Sequence, residues 1–251
     1  MQKHPLTSKV ALVTGAARRI GAEIARVLHS EGMNIALHYN SSEVDAVNFC
    51  QTLNKIRPQS AVALRAELHD PESGKVLVQQ AVKAWGRLDV LINNASRYYR
   101  TLMGTVTDFA WEDIMDSNFK APFFLSQAAS QALAATGGCI VNIADIQGER
   151  PSHDYSVYCL SKNGLLMMTQ VLAKELAPAI RVNAVAPGPI IWPEGENALS
   201  DTEKKKVIAQ TLLDKSGSPI EVAKAVLFFV RDAEYVTGQV LNVDGGRSLC
   251  I

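Results

Sequence analysis

The sequence has no excess of charge of either sign. Its 251 residues include 25 basic side chains (Lys and Arg) and 25 acidic ones (Asp and Glu), so the formal net charge is zero. Proteins that bind nucleic acid usually carry an excess of basic charge, because binding displaces the counterions of the phosphates. The charge balance therefore argues against a nucleic-acid partner.

Cysteine and histidine are also sparse, and long apolar runs are absent. The four cysteines, Cys50, Cys139, Cys159 and Cys250, form no CxxC pair, and the five histidines show no metal-ligand spacing. A chain of this length does not need disulfides for stability. No apolar run reaches the roughly 18 residues of a transmembrane helix, and the first residues lack the apolar stretch of a signal peptide. We expect a cytoplasmic protein with reduced thiols, no metal and no membrane partner.

Apolar side chains, by contrast, are plentiful and regularly arranged. Hydrophobic residues make up 47% of the chain, and short apolar runs alternate with longer amphipathic segments. The predicted strands are 10–14, 34–39, 61–66, 88–93, 139–143, 181–185 and 240–243. The predicted helices are 20–30, 44–55, 76–85, 111–134, 155–176, 200–213 and 220–230. This alternation predicts an α/β fold with a mainly parallel, doubly wound sheet of about seven strands flanked by helices, in one domain over residues 1–251.

A glycine-containing segment, TGAARRIG at residues 14–21, follows the first predicted strand. Small residues at this point let the backbone approach a pyrophosphate, and the next helix presents free N–H groups to it. The segment also fits a simple tight turn from strand to helix. Its position at the first strand–helix junction favours dinucleotide binding.

The end of the second predicted strand carries no acidic side chain before Glu43. The segment reads His38, Tyr39, Asn40, Ser41 and Ser42. An acidic residue here would bind the ribose hydroxyls of NAD and repel the 2′-phosphate of NADP. Hydroxyl and amide donors, with Arg18 or Arg19 as counter-charge, favour NADP. Ser41 or Ser42 also fits the N-cap of the next helix, and both interpretations are compatible.

A tyrosine and a lysine four residues apart, Tyr158 and Lys162, share one face of a predicted helix. An ammonium beside a phenol favours the phenolate and lowers the pKa of the tyrosine, which suits acid–base chemistry. The pair also fits an ordinary surface contact. Asp145 follows the fifth predicted strand, and Asn118 lies in the helix before that strand. Tyr155 has no lysine four residues later, so Tyr158 is the better candidate acid.

Together these motifs resemble the short-chain dehydrogenase/reductase family. The matching features, which span residues 10–246, are the 14–21 segment, Asn93-Asn94-Ala95, Asn118, Asp145, Tyr158, Lys162 and Pro187-Gly188. The resemblance implies a Rossmann-type domain with a seven-stranded parallel sheet, a nicotinamide cofactor and a homotetramer. It also implies that Tyr158 donates a proton, that Lys162 lowers the pKa of Tyr158 and holds the ribose, and that Asn118 anchors a water relay.

At two positions the sequence departs from the usual family pattern, and at both it resembles the pteridine reductases. Arg19 replaces a glycine, and Asp145 replaces a serine that normally binds a substrate carbonyl. An ionised carboxylate cannot donate a hydrogen bond, so it suits substrate N–H groups better than a carbonyl. The pteridine reductases also share the HY-x-x-S segment and an aromatic two residues after NAS, which here is Tyr98. Ser41 stands where the best-known members carry arginine, and Glu67 where an aspartate is usual near the adenine.

The resemblance implies an NADPH-dependent reduction of dihydropterins to tetrahydropterins, with oxidised pterins and dihydrofolate as further candidate substrates. Alternatives are a reductase of carbonyl substrates such as 3-oxoacyl thioesters, and a nucleotide-sensing protein without catalysis. The candidate catalytic residues are Asn118, Asp145, Tyr158 and Lys162. Candidate cofactor contacts are Gly15, Arg18, Arg19, Ile20, Gly21, His38, Tyr39, Asn40, Ser41, Ser42, Glu67, Leu68, Asn94, Ala95, Ser96, Tyr158, Lys162, Pro187 and Gly188. Candidate substrate contacts are Arg19, Ser96, Tyr98, Asp145 and Tyr158. Trp85, Trp111, Met167 and Met168 are expected to pack in the core.

Overall fold

Seven parallel strands form one sheet in the computed structural model, which describes residues 6–193 and 195–251. The strands are β1 (Val10–Val13), β2 (Asn34–Tyr39), β3 (Ala61–Arg65), β4 (Val90–Asn93), β5 (Cys139–Ile143), β6 (Arg181–Pro187) and β7 (Val240–Val243). Their order across the sheet is β3-β2-β1-β4-β5-β6-β7, and the pairing is parallel throughout. The predicted α/β fold with a parallel sheet is confirmed.

Helices follow the strands and cover both faces of the sheet. They are α1 (Arg19–Ser30), α2 (Glu43–Ile56), α3 (Pro71–Trp85), α4 (Asp108–Met115), α5 (Ala121–Thr136), α6 (Ser156–Leu176), α7 (Asp201–Ala209) and α8 (Pro219–Leu227). One apolar cluster joins the sheet to α1 and α8, and a second joins it to α3, α5 and α6. Because both faces are covered, the central strands are mainly apolar, and each residue of β1, β4 and β5 is buried.

The strand order places a topological switch point at β1. The chain runs outward from β1 through β2 to β3, and then returns to β4 on the other side of β1. The loops that follow β1 and β4 therefore lead to opposite faces and leave a crevice at the carboxyl ends of the strands. In open parallel sheets this crevice is where ligands bind.

The helix predicted over 111–134 is not continuous. A π-helical turn, Asp116–Lys120, separates α4 from α5. Pro122 lacks the N–H that would bond the carbonyl of Asn118 in a regular helix, and its ring would collide with that carbonyl. The wider turn accommodates both effects and contains the buried Asn118.

Two side chains expected in the core lie at the surface. Trp111 is 45% exposed and Met167 is 59% exposed, whereas Met168 is buried as predicted. Consecutive residues of a helix point in directions about 100° apart, so α6 cannot bury both methionines. Trp85 is half-buried, and its Nε1 donates to the carbonyl of Gln59 at 3.1 Å.

The cysteine thiols are all free, and only Cys250 is exposed. No helix within residues 6–193 or 195–251 is long and apolar enough to cross a membrane.

Candidate active site

A cavity of about 1050 Å³ lies along the carboxyl ends of the strands, at the switch point. It is lined by most of the residues that the sequence analysis selected. These are Gly15, Arg18, Arg19, Ile20, Gly21, His38, Asn40, Ser41, Glu67, Leu68, Asn94, Ala95, Ser96, Tyr98, Asp145, Tyr158, Lys162, Pro187 and Gly188. The fold thus gathers segments that are as much as 173 residues apart (Gly15 to Gly188) into one site.

Three selected residues lie outside the lining of this cavity. Tyr39 is buried in the core, with 7% of its surface exposed. Ser42 occupies the N-cap position of α2, although its side chain makes no capping hydrogen bond. Asn118 is buried behind the loop that follows β4. The structure therefore brings none of the three side chains to the cavity wall.

The glycine-containing loop forms a narrow cradle at the start of α1. Gly15 has a left-handed backbone, with φ of 61°. A Cβ atom on Gly21 would collide with the carbonyl of Gly15 and the side-chain amide of Asn94, so only glycine fits. The first N–H groups of α1 have no partner within the helix and carry its positive dipole. This cradle fits the pyrophosphate of a dinucleotide.

Thr14, which the sequence pattern marks only as part of the glycine-containing loop, connects the ends of β1 and β4. Its Oγ1 accepts from the backbone N–H groups of Asn94 at 2.9 Å and Ala95 at 3.0 Å. The side-chain amide of Asn94 donates in return to the carbonyl of Thr14 at 2.8 Å. Asn93 points into the protein and donates to Asn142 Oδ1 at 2.8 Å. Only the second asparagine of the motif therefore faces the cavity.

Arg19 has a strained backbone, which explains why the family usually has glycine there. Its φ is 57°, a left-handed conformation that costs a non-glycine residue about 1 kcal/mol. Its guanidinium donates to the carbonyl of Trp192 at 3.1 Å and so spans from the loop after β1 to the loop after β6. Trp192 lines the cavity and was not found from the sequence.

His38 supports the glycine-containing loop as a neutral side chain. Its Nδ1 accepts from the N–H of Gly15 at 3.1 Å, which leaves the proton on Nε2 for the carbonyl of Ala66 at 3.2 Å. Burial lowers the pKa of His38 to about 4. His38 therefore brings no positive charge to a phosphate, and its role is to position the loop.

Asp145, Tyr158 and Lys162 meet at the centre of the cavity. The hydroxyl of Tyr158 donates to Asp145 Oδ2 at 2.8 Å, and the N–H of Gln147 donates to Asp145 Oδ1 at 2.8 Å. Lys162 Nζ donates to the carbonyl of Ile143 at 2.9 Å and lies 5.6 Å from the centroid of the Tyr158 ring. Three groups that can carry a proton are thus held by rigid elements.

Lys162 does not bring the pKa of Tyr158 below its ordinary value in this structure. Burial and the neighbouring Asp145 carboxylate raise the pKa of Tyr158 well above its ordinary value, because both disfavour a phenolate. Burial also lowers the pKa of Lys162 to about 8 and raises the pKa of Asp145. Tyr158 is therefore a protonated hydroxyl, the state that a proton donor requires.

The side chain of Asn118 is fully used by contacts within the protein. Its Oδ1 accepts from Arg97 N at 2.7 Å and Ser96 Oγ at 3.1 Å, and its Nδ2 donates to Arg97 O at 3.0 Å and Ser161 Oγ at 3.1 Å. Two donors and two acceptor positions are all that an amide offers. This side chain ties the loop after β4 to α6, and the water relay that the resemblance implies stays a prediction.

A cluster of tyrosines borders the catalytic groups. Tyr98 stacks on Tyr155, with ring centroids 4.7 Å apart and planes 13° apart. It also meets Tyr158 edge-on at 4.7 Å. Because Tyr155 covers one face of Tyr98, a planar ligand can stack only on the opposite face. The sequence does not mark Tyr155 as a site residue, since it has no lysine partner; its packing on Tyr98 puts it at the border of the site.

The sequence is similar to those of known reductases over nearly its whole length. The sequence model of a family described as enoyl-(acyl carrier protein) reductase matches residues 15–248. Pteridine reductase 1 of Leishmania tarentolae is 35% identical, with 97% of each chain covered. The 3-oxoacyl-[acyl-carrier-protein] reductase FabG of Staphylococcus aureus is also 35% identical, covering 95% of this chain and 98% of its own. An uncharacterized oxidoreductase of Methylorubrum extorquens is 36% identical over 96% of this chain and 98% of its own.

Proposed function

The chain belongs to the short-chain dehydrogenase/reductase family of oxidoreductases, and we propose that it is an NADPH-dependent reductase of dihydropterins. Members of this family use nicotinamide cofactors. Relatives named as a pteridine reductase and as a 3-oxoacyl reductase have the same identity to this chain, so identity alone does not choose between them. The choice between a pterin and a 3-oxoacyl substrate is therefore based on the chemistry of the site.

The single observation behind the pterin assignment is the position of Asp145. Its carboxylate lies at the reacting centre, hydrogen-bonded to the proton donor Tyr158. A carbonyl substrate needs hydrogen-bond donors around its oxygen, and an ionised carboxylate offers none. The amino-pyrimidine edge of a pterin is rich in N–H groups, which a carboxylate accepts well. Asp145 therefore suits a pterin and suits a ketone poorly.

In the proposed reduction of a C=N bond, each residue of this site has its own role. Bound NADPH supplies the hydride for the carbon of that bond. Tyr158 donates its proton to the nitrogen, and the ammonium of Lys162 balances the charge left on the phenol oxygen. Ionised Asp145 accepts hydrogen bonds from the N–H groups of the ring. After the transfer it takes up a proton from solvent, which its raised pKa favours, and passes that proton to the phenolate of Tyr158. Tyr98 would stack on the ring through the face that Tyr155 does not cover, and Arg19 would contact the edge of the ring.

A second candidate function is the reduction of 3-oxoacyl thioesters. The similarity to the FabG reductase favours it, and Tyr158 with Lys162 would serve a carbonyl equally well. Asp145 stands against it, for the reason given above. A nucleotide-sensing role without catalysis does not account for a buried lysine and a protonated tyrosine held together at the centre of the cavity.

We also propose that the protein works as a cytoplasmic homotetramer. Apolar side chains are exposed along α5 and α6, namely Phe123, Leu160, Met167 and Val171. A contiguous exposed apolar face of this kind is typical of an interface between protein chains. Free cysteines fit a reducing compartment. Light scattering on the purified protein tests the assembly, and a monomer would contradict it.

The test of the function is a substrate panel with purified protein. NADPH oxidation is followed with a dihydropterin, an oxidised pterin, dihydrofolate, a 3-oxoacyl thioester and a simple ketone. We expect kcat/KM to be highest for the dihydropterin, and at least about tenfold higher with NADPH than with NADH. Faster turnover of the thioester or the ketone than of any pterin would overturn the substrate class, and equal turnover with NADH would overturn the cofactor.

A further inference from the structure

Arg18 forms an ion pair with a residue that does not line the cavity. Its Nε and Nη2 both contact Oδ2 of Asp45, which lies in the first turn of α2. The side chains are exposed, 64% for Arg18 and 41% for Asp45. The pair joins the glycine-containing loop after β1 to the helix that follows β2, beside Asn40 and Ser41 of the cavity wall.

This is the place where the fold holds the adenosine ribose. In parallel sheets of this kind the residues at the end of the second strand contact the ribose hydroxyls, and a nearby arginine accommodates the 2′-phosphate. Ser41 offers a hydroxyl but no charge. Arg19 is turned toward the carbonyl of Trp192, and Glu67 accepts from Asn40 at 2.7 Å. Within the part of the chain that the structure describes, Arg18 is the cation best placed for that phosphate.

We propose that Asp45 is a specificity-determining residue that competes with the 2′-phosphate of NADPH for Arg18. This inference rests on the proposed use of NADPH. An exposed ion pair is weak, whereas a phosphate carries more charge and accepts two hydrogen bonds from a guanidinium. The N-terminus of α2, which favours the Asp45 carboxylate, favours a phosphate for the same reason. Asp45 thus keeps Arg18 in position before the cofactor binds, and it weakens the binding of NADPH without affecting NADH.

The test measures cofactor binding without any pterin. Dissociation constants of NADPH and NADH are obtained by fluorescence titration of the wild type and variants, with thermal unfolding as a check of folding. Asp45→Asn should tighten NADPH binding roughly fivefold, the upper range for an exposed pair, and leave NADH binding within about twofold. The gain should shrink at high salt, because exposed charges are screened.

A matched control separates the contact from plain charge. Glu43→Gln removes the same charge from the same turn of α2, and no ion pair between Glu43 and Arg18 occurs within residues 6–193 and 195–251. It should change NADPH binding by less than about twofold. Arg18→Ala should weaken NADPH binding roughly tenfold, and adding Asp45→Asn to it should give no gain.

Three outcomes overturn the inference. If the wild type prefers NADPH but Asp45→Asn binds it no more tightly, Asp45 does not compete, although the proposed cofactor stands. If Glu43→Gln tightens NADPH binding as much as Asp45→Asn does, the effect comes from the net charge near α2 and not from the contact between Asp45 and Arg18. If the wild type binds NADH as tightly as NADPH, the proposed cofactor and this inference fall together. The substrate class is untouched in each case, because no pterin is present.

Discussion

The hydroxyl of Tyr158 donates to the carboxylate of Asp145 across 2.8 Å, which joins the first turn of α6 to the loop after β5. The same contact keeps Tyr158 protonated, since a carboxylate beside it disfavours a phenolate. A proton donor and a group that can return the proton are thereby in direct contact. This relationship makes the two residues the first to test.

Tyr158→Phe removes the hydroxyl while keeping the ring that packs against Tyr98. Loss of a general acid costs about 10²- to 10⁴-fold in rate, so we expect kcat to fall by that factor while the NADPH dissociation constant is unchanged. Single-turnover kinetics and fluorescence titration measure the two quantities. Tyr155→Phe is the control and should lose much less activity. More than a tenth of the wild-type kcat in Tyr158→Phe would mean that another group is the acid.

Asp145→Ser and Asp145→Asn test the residue that carries the pterin assignment. Each removes the carboxylate, and dihydropterin reduction should fall by at least about 10²-fold. Asp145→Ser restores a hydroxyl donor, so its relative activity on ketones should rise compared with Asp145→Asn. Pterin turnover near the wild-type rate in both variants would show that Asp145 has no part in the reaction.

The same site predicts a pH-dependent change in stability. Burial raises the pKa of Asp145 above its value in the unfolded chain, so the ionised carboxylate lowers the stability of the folded protein. The stabilisation from Asp145 is complete below the unfolded pKa of about 3.9 and is lost as pH rises through the folded pKa. Asp145→Asn should therefore unfold with a higher free energy than the wild type at neutral pH, with the difference narrowing toward acid. Urea titrations over pH measure this, and a constant difference would refute it.

Lys162 should set the alkaline limit of activity. Burial lowers the pKa of Lys162 to about 8, so its charge is present below that pH and lost above it. Because the charge balances the phenol oxygen after proton transfer, kcat/KM should fall as pH rises through about 8. Lys162→Arg keeps a charge at all these pH values, so its profile should lack this limb, whatever its absolute rate. An identical limb in both proteins would assign it to the substrate instead.

Arg19→Gly exchanges a strained residue for one that adopts the same backbone freely. The relief of about 1 kcal/mol offsets the lost hydrogen bond to Trp192 and the entropy of glycine, so the free energy of unfolding should change little. The pterin KM should rise at least about fivefold, roughly 1 kcal/mol of lost binding. Arg26→Gly is the control: it lies in the same helix with ordinary backbone, and it should lose about 1 kcal/mol of stability at constant KM.

Gly21→Ala tests the cradle at the start of α1. Its new methyl group would strike the carbonyl of Gly15 and the amide of Asn94, which are held by backbone contacts and cannot move cheaply. We expect NADPH binding to fall by more than about tenfold and stability to drop by about 1–3 kcal/mol. Gly74→Ala is the helical control, because its methyl group meets only the flexible Leu125 side chain at 3.3 Å. Unimpaired NADPH binding in Gly21→Ala would exclude a pyrophosphate at this cradle.

The periodicity of the sequence predicts most of the strands and helices, because the central strands β1, β4 and β5 are short, mainly apolar runs whose residues are all buried. The bounds predicted for β2, β5 and β7 match the structure. The prediction of one continuous helix over 111–134 is wrong, because Pro122 disrupts the regular hydrogen bonding of that helix. The spacing of apolar residues gives no information about this effect. The prediction that Met167 is buried is wrong for a related reason: periodicity alone does not show which of two adjacent methionines faces the core.

What the sequence determined by itself is the set of chemical groups and their order along the chain: the glycine-containing loop, the asparagines, Asp145, Tyr158 and Lys162. Only the tertiary structure decided how these groups act on one another. It turned Asn118 and His38 into supports whose polar atoms are used within the protein. It raised the pKa of Tyr158, although the four-residue spacing to Lys162 predicted the opposite. The reason is physical: a pKa depends on burial and on every nearby charge, and both arise only when distant segments meet.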